Sequence, residues 1–233
     1  MSSIEIIVSR YNEDLSWTTE NIFNEFKYVV YNKGTNDNFE KTNVKQIINI
    51  NNVGRESETY LNYIVTNYNN LADIIVFFPG SLELTNKKEK AIQLLNGIKK
   101  YKTAIFLGES TNSIKDMFNN FKLDNWASSS VKNLEINNES KLELSKIRPY
   151  GNWFNYCFGN KKVTNFCYWG IFSIDKRDIL QHPIARYANL KNQLSNSSNP
   201  EVGHYIERSW GAIFHPIKYT KIFCKKKKLN LVY

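Results

Sequence analysis

Over the first 108 residues, five short apolar runs alternate with amphipathic stretches. This alternation constrains the fold more than any other feature. Residues 4–8 form a run rich in β-branched side chains, and 29–31, 47–50, 73–78 and 103–107 repeat the pattern. The stretch 15–28 offers Trp17, Ile22, Phe23 and Phe26 to one helical side, with Asp14 or Ser16 near its start. From Arg55, the residues Tyr60, Leu61, Ile64, Val65 and Tyr68 keep helical spacing, and 87–101 place Ile92, Leu94, Leu95 and Ile98 inward. Residues 35–46 are polar and read as loop. Strands followed mostly by helices imply an α/β fold with a mostly parallel central sheet flanked by helices.

The first four apolar runs end in residues able to bind a polar ligand. The endings are "SRYNED", "YNKG", "NNVGRES" and "FFPGS". In an open α/β sheet, ligands gather at the carboxyl ends of the strands. Arg10, Lys33 and Arg55 bring cations to that rim, which suits a diphosphate. Gly54 before a helix lets backbone approach a phosphate, and Tyr11 is placed to stack on a base. The ordinary alternatives are a helix cap with solvated neighbours for Asn12, Glu13 and Asp14, and a simple turn for Gly54. Neither G-x-G-x-x-G nor G-x-x-x-x-G-K-[ST] occurs, so the two common phosphate-loop motifs are not available.

The second half is less regular. Residues 124–165 show no clear period. A strand is expected over 166–174, helices over 175–180 and 183–194, and a further helix over 200–214 with Asn199 as N-cap and Pro200 in its first position. On that last helix Glu201, His204, Tyr205 and Arg208 share one face, and Glu207, Trp210, Gly211 and Phe214 another. No repeat and no linker is visible, so residues 1–233 read as one domain. A regular half, 1–108, is followed by a less regular half, 109–233.

Composition narrows the class. An apolar share of 42% with 14% aromatics suits a globular chain. No window approaches the roughly 20 apolar residues of a membrane span, and no signal-peptide pattern opens the chain. Cys157, Cys167 and Cys224 are odd in number and lack zinc spacing, which fits a reducing, cytoplasmic setting. A net charge of +9, from 31 basic and 22 acidic residues, favours anionic partners. The densest basic run, 225–228, reads most simply as a solvated tail.

The strings "IEIIVSRYNEDLSW", "VYNKG", "NVGRESETYLNYIVTNYNNLADIIVFFPG" and "GHYIERSWGAIF" together resemble a glycosyltransferase-like family of the GT-A fold. That family has been labelled a domain of unknown function and has relatives in large DNA viruses of algae. The resemblance covers most of 4–108 and 166–214. It implies a transferase that moves a sugar from a nucleotide-diphosphate donor to a glycan or glycoconjugate acceptor. It makes 1–108 the nucleotide-sugar-binding half and 109–233 the acceptor-side half, and sets the donor against Arg10, Tyr11, Asn12, Glu13, Lys33, Gly54, Arg55, Glu56, Gly80 and Ser81.

It also sets the acceptor beside the late helix, with Tyr168, Trp169, His204, Arg208 and Trp210 as contacts and Trp153 as a further aromatic platform. An acceptor hydroxyl needs a general base. Glu207, amid Ile206, Trp210 and Ile213, is preferred over Glu201, which a helix N-terminus explains. The ordinary readings are an ion pair for Glu207, a packing histidine for His204 and core aromatics for the rest. The chain departs from GT-A at the metal motif: Pro79-Gly80-Ser81-Leu82-Glu83 stands where Asp-x-Asp is expected. Metal ligands are therefore unknown, and a divalent cation (Mn or Mg) is expected to come with the donor phosphates. A non-catalytic glycan-binding relative and a basic nucleic-acid-binding protein remain the competing classes. The absence of any helix-turn-helix, zinc-finger or RNP-like motif makes nucleic acid the less expected partner.

Overall fold

The computed structural model describes residues 2–125 and 141–226. Five strands form the central sheet: β1 (Ile4–Arg10), β2 (Tyr28–Asn32), β3 (Val44–Asn49), β4 (Ile74–Pro79) and β7 (Phe172–Asp175), in the order β3-β2-β1-β4-β7. The first four are parallel, and β7 runs antiparallel to β4. The architecture is thus mixed α/β with a mostly parallel sheet, as the alternation requires. Along β1, β2 and β4 successive residues feed two separate cores. Ile7, Val29, Ile75 and Phe77 face one of them, and Ile6, Val8, Val30, Val76 and Phe78 the other. Burial on both faces is why these strands read as unbroken apolar runs.

Helices α1 (Arg55–Thr66) and α7 (Glu201–Ile213) cover the first face, with Tyr60, Leu61, Tyr205, Ile206 and Trp210 inward. Helix α2 (Thr85–Tyr101) covers the other through Ala91, Leu94, Leu95 and Ile98. Short helices α3 (Ile114–Met117), α4 (Tyr150–Phe158), α5 (Lys176–Leu180) and α6 (Ile184–Asn192) complete the described set.

Four expectations are corrected. The stretch 15–28 is not one helix. It makes two 3-10 turns, Ser16–Thr19 and Phe23–Glu25, separated from regular helix by Leu15 at φ 57° and Ile22 at φ 68°. Tertiary burial overrides propensity here. The Trp17 indole is fully enclosed, donates to the Gly80 carbonyl at 2.8 Å and meets Phe23, Tyr28 and Phe78 edge-on. Next, the run at 103–107 becomes β5 (Ile105–Ser110), which leaves the central sheet. It lies between β6 (Asn165–Phe166) and β8 (Lys221–Lys226) in a second sheet of three strands.

The strand expected over 166–174 is broken in two, because Trp169 and Gly170 adopt left-handed backbone at φ 68° and 62°. Finally, the irregular middle contains α4, whose residues Tyr150, Trp153 and Phe154 are buried. Only part of that middle, and only Lys225 and Lys226 of the basic run, falls within the described residues.

The two sheets are joined at one buried hydroxyl. Ser173 Oγ of β7 accepts from Ile105 N at 2.6 Å and donates to Ile105 O at 2.9 Å. Ser173→Ala leaves both backbone groups without a partner in a dry setting. It is expected to destabilise the chain by about 2 kcal/mol, read as a lower urea midpoint at unchanged slope. A midpoint equal to the parent's would show that the junction does not depend on this side chain.

Candidate active site at the carboxyl rim of the sheet

Strands β1, β2 and β4 end together. Arg10 lies opposite Asn32, and Ser9 opposite Pro79. The rim is therefore built by the turns that follow them, by the start of α1, and by α7 crossing above. Several residues expected to meet a donor hold these turns together instead. The Arg10 guanidinium is buried. It donates to Glu13 O (2.8 Å), Asn32 Oδ1 (2.7 Å), Asn36 O (2.7 Å) and Asn36 Oδ1 (3.0 Å), and it lies 4.4 Å from the Phe39 ring centre. It ties the 33–39 loop to β1 and is not available to a diphosphate.

Lys33 is likewise buried. Its ammonium donates to Val53 O, to Arg55 O at 2.6 Å and to Glu58 Oε2 at 3.2 Å. Burial pulls its pKa down, and Glu58 partly restores it. Gly54 donates its own N–H to Ser197 O at 2.7 Å, and a Cβ there would stand 2.6 Å from Leu194 Cβ. It serves helix packing rather than phosphate approach. Gly80 is spent in the same way. Its N–H reaches Ser9 O, its carbonyl takes the Trp17 indole, and its missing side chain makes room for Glu13, whose Oε2 would lie 2.7 Å from a Cβ.

Two aromatics are also corrected. Trp210 has no exposed surface and packs against Phe172 and Phe214. Trp153 is buried against Tyr150 and Tyr205, its indole donating to Gln193. Neither is a sugar platform.

A second group converges on the left-handed turn at Trp169–Gly170. The Trp169 N–H donates to Glu207 Oε1 at 2.7 Å. A Cβ on Gly170 would lie 3.1 Å from Glu56 Cγ, so the Glu56 side chain lies against this turn too. Arg55 and Arg208 flank the pair. Arg55 Nε is 3.8 Å from Glu56 and Arg208 Nη1 is 3.6 Å from Glu207. Trp169 is 40% exposed, more than Tyr168 beside it, with Lys90 Nζ 5.8 Å from its ring centre. Tyr168 is half-buried between Phe166 and the Arg208 guanidinium. Tyr11, Asn12 and Glu13 sit half-buried at the end of β1, with the Tyr11 N–H donating to Glu13 Oε2 at 2.7 Å.

The electrostatics separate the carboxylates. Burial and the nearby Glu56 charge raise the pKa of Glu207, with Arg208 opposing. Burial, the largest influence, would also raise Glu56, but Arg55, a backbone hydrogen bond and Lys87 together outweigh it and hold the group below its ordinary value. Burial raises Glu13 as well. His204 is buried beside Arg55 and falls to about 3, so it is neutral across the physiological range and cannot serve as a cation for phosphate.

Glu201 is wholly enclosed. It accepts from Leu123 N, Ser145 N and the Tyr205 hydroxyl and meets Arg148 Nε at 2.9 Å, an anchor with no lone pair directed at a substrate. Among the described residues, no three His, Cys, Asp or Glu side chains form a group that could hold a metal ion.

Sequence reading overlooked three members. Lys87 donates to Ser81 Oγ at 2.7 Å. Lys90, one turn on, donates to Tyr168 O at 3.0 Å, and burial lowers its pKa. The Tyr60 hydroxyl lies beneath Gly170, in the field of Glu56, Glu207 and Glu13. The i, i+3 spacing of Lys87 and Lys90, at the start of the helix that follows "FFPGS", was the available signal. A shallow depression of about 300 Å³ elsewhere, lined by Ser113, Lys115, Lys161 and Lys162 among others, contains no rim residue.

The raised Glu207 pKa has a signed consequence. Its contribution to stability is full below the ordinary carboxylate range, about 4.3, and is lost as pH rises through the higher folded value. Glu207→Gln removes that loss. The variant should gain melting temperature over the parent progressively from acid to neutral pH. A difference that is flat with pH, or that shrinks toward neutrality, would contradict the raised value.

Among solved structures, the chain is similar to CMP:2-keto-3-deoxy-manno-octonic acid synthetase complexed with CTP. The TM-score is 0.40 at 12% identity, covering 97% of this chain and 91% of that one. It is also similar to a mannose-1-phosphate geranyltransferase from Thermus thermophilus, with TM-score 0.35 at 8% identity, covering 97% and 75%. Both likenesses are distant, and no assignment rests on them. No curated protein matches the chain. Among the described residues no helix is long and apolar enough to cross a membrane. The family model described as "Protein of unknown function (DUF3431)" matches residues 6–231, nearly the whole chain, and the protein therefore belongs to that family.

Proposed function

We propose that this chain is a GT-A-like glycosyltransferase that takes a nucleotide-diphosphate sugar at the carboxyl rim and transfers the sugar to a glycan or glycoconjugate hydroxyl. The observation that carries this reading is the paired Glu56 and Glu207. Their protonation tendencies are driven apart, and they lie between Arg55 and Arg208 beside the solvent-facing Trp169 ring. A carboxyl group whose pKa is lifted toward neutrality is suited to take a proton from an attacking hydroxyl. Trp169 offers an apolar face on which a pyranose can stack.

In this reading the donor diphosphate is neutralised by Arg55 and Lys87, not by Arg10 and Lys33. Tyr11 and Asn12 line the nucleoside side, Ser81 stands near the phosphates, and Tyr168 and Arg208 line the acceptor side. Glu207 is the base, kept in place by the Trp169 N–H on one oxygen. Glu56 sets its basicity by charge. A divalent cation (Mn or Mg) enters as a companion of the diphosphate, since no protein cage for it exists among the described residues.

Pro79-Gly80-Ser81 in the place of an Asp-x-Asp motif favours a second reading, a sugar-binding relative without transfer. Two experiments decide. In a thermal-shift series with UDP, GDP, CDP and dTDP sugars, at least one donor should raise the melting temperature by mass action. Arg55→Ala should remove most of that rise, through loss of a charged hydrogen bond worth about 1.5–3 kcal/mol. No shift with any donor would overturn the donor site.

In a transfer assay with the responding donor, Glu207→Gln should keep the thermal shift but lower the rate about 10²–10⁴-fold. Full activity in that variant would remove Glu207 as base. Donor binding with no transfer by the parent protein toward any glycan acceptor would favour the non-catalytic reading.

A further inference from the structure

We infer that the far end of α2 and the edge strand β8 form a docking surface for an anionic lipid bilayer. Tyr101 closes α2 and Phe223 lies on β8. Their rings stack with centres 5.4 Å apart, and each remains more than a third exposed, at 38% and 37%.

Cations are set into this patch. Lys221 Nζ is 4.0 Å from the Tyr101 ring centre and 5.8 Å from that of Phe223, and Lys100 Nζ is 5.3 Å from Tyr101. Neither lysine forms an ion pair with a carboxylate among the described residues, whereas neighbouring Lys99 is paired with Glu25. A lysine in the last turn of a helix is ordinarily explained by the helix dipole. That covers Lys100 but not Lys221, which comes from a different element and lies on the same ring.

Aromatic side chains with unneutralised ammonium groups beside them suit the headgroup region. There the rings partition at the apolar boundary while the cations meet anionic phosphates. The arrangement suits single-stranded nucleic acid less well. Base stacking needs open ring faces, and here the Tyr101 and Phe223 faces are covered by each other and by Lys221. Lysines on an edge strand also discourage pairing with another chain. The 17-residue helix α2 carries the patch about 25 Å from its own start at the rim, so the surface is independent of the candidate site.

The test is co-sedimentation of the full chain with vesicles of phosphatidylcholine alone and of phosphatidylcholine with phosphatidylserine. Binding is expected only to the serine-containing vesicles, and should be lost at high salt. Lys100→Glu with Lys221→Glu should weaken it by at least about tenfold, with the circular-dichroism melt unchanged. Tyr101→Ser with Phe223→Ser should weaken it as well.

The charge-reversed variant keeps the basic run at 225–228, so unchanged binding in it would mean that the run alone acts, overturning the surface. Equal binding to both vesicle types, or to neither, would overturn it too. So would an oligonucleotide that binds the chain more tightly than the vesicles and depends on the same lysines.

Discussion

Three parallel strands buried on both faces, β1, β2 and β4, leave most of their polar side chains one place to go, beyond the strand ends. That constraint organises the molecule. Alternate residues of β1, β2 and β4 supply two dry cores, and the backbone within them pairs with neighbouring strands. Where the strands stop, the chain turns in a crowded polar rim. The rim then needs internal order, because flexible turns could not hold a reactive geometry.

Arg10 and Lys33 supply that order. Each is a cation withdrawn from water and surrounded by carbonyl and carboxylate oxygens. Burying charge is costly unless it is fully coordinated, and the coordination fixes the 33–39 loop and the Gly54–Arg55 turn with it. The start of α1 is set by this network, which in turn places Arg55 and Glu56. The family of cations at the rim therefore divides in two. One part is internal scaffold, and the other, with Arg55, Lys87 and Arg208, faces the carboxylates.

Much of the architecture was legible in the residues. The unbroken run at β4, the amphipathic periods of α1 and α2 and the late helix all appear within a few positions of where spacing puts them. Periodicity fails where long-range contacts decide. Nothing local in "DLSWTTENIF" shows that Trp17 would reach Gly80, or that Ile22 would take a left-handed backbone. Aromatic spacing likewise cannot distinguish core Trp153 and Trp210 from solvent-facing Trp169, because both uses demand the same residue. Site charges are ambiguous for a related reason: a buried structural Arg and a ligand-binding Arg look alike in sequence. Glu207 was readable as a half-buried acid among apolar neighbours. Its partner Glu56 was readable only as a neighbour of Arg55.

The left-handed turn at Trp169–Gly170 gives the protein a built-in optical reporter. Trp17, Trp153 and Trp210 are sealed in rigid apolar surroundings, where indole emission is blue-shifted and insensitive to small solutes. Trp169 instead presents its ring to water while its own N–H is held by Glu207. Among the described tryptophans, it alone should respond to acrylamide or iodide. In a chain whose Trp126, outside the described residues, is replaced by Phe, the red edge of the emission spectrum follows events at the rim and the blue edge the integrity of the two cores.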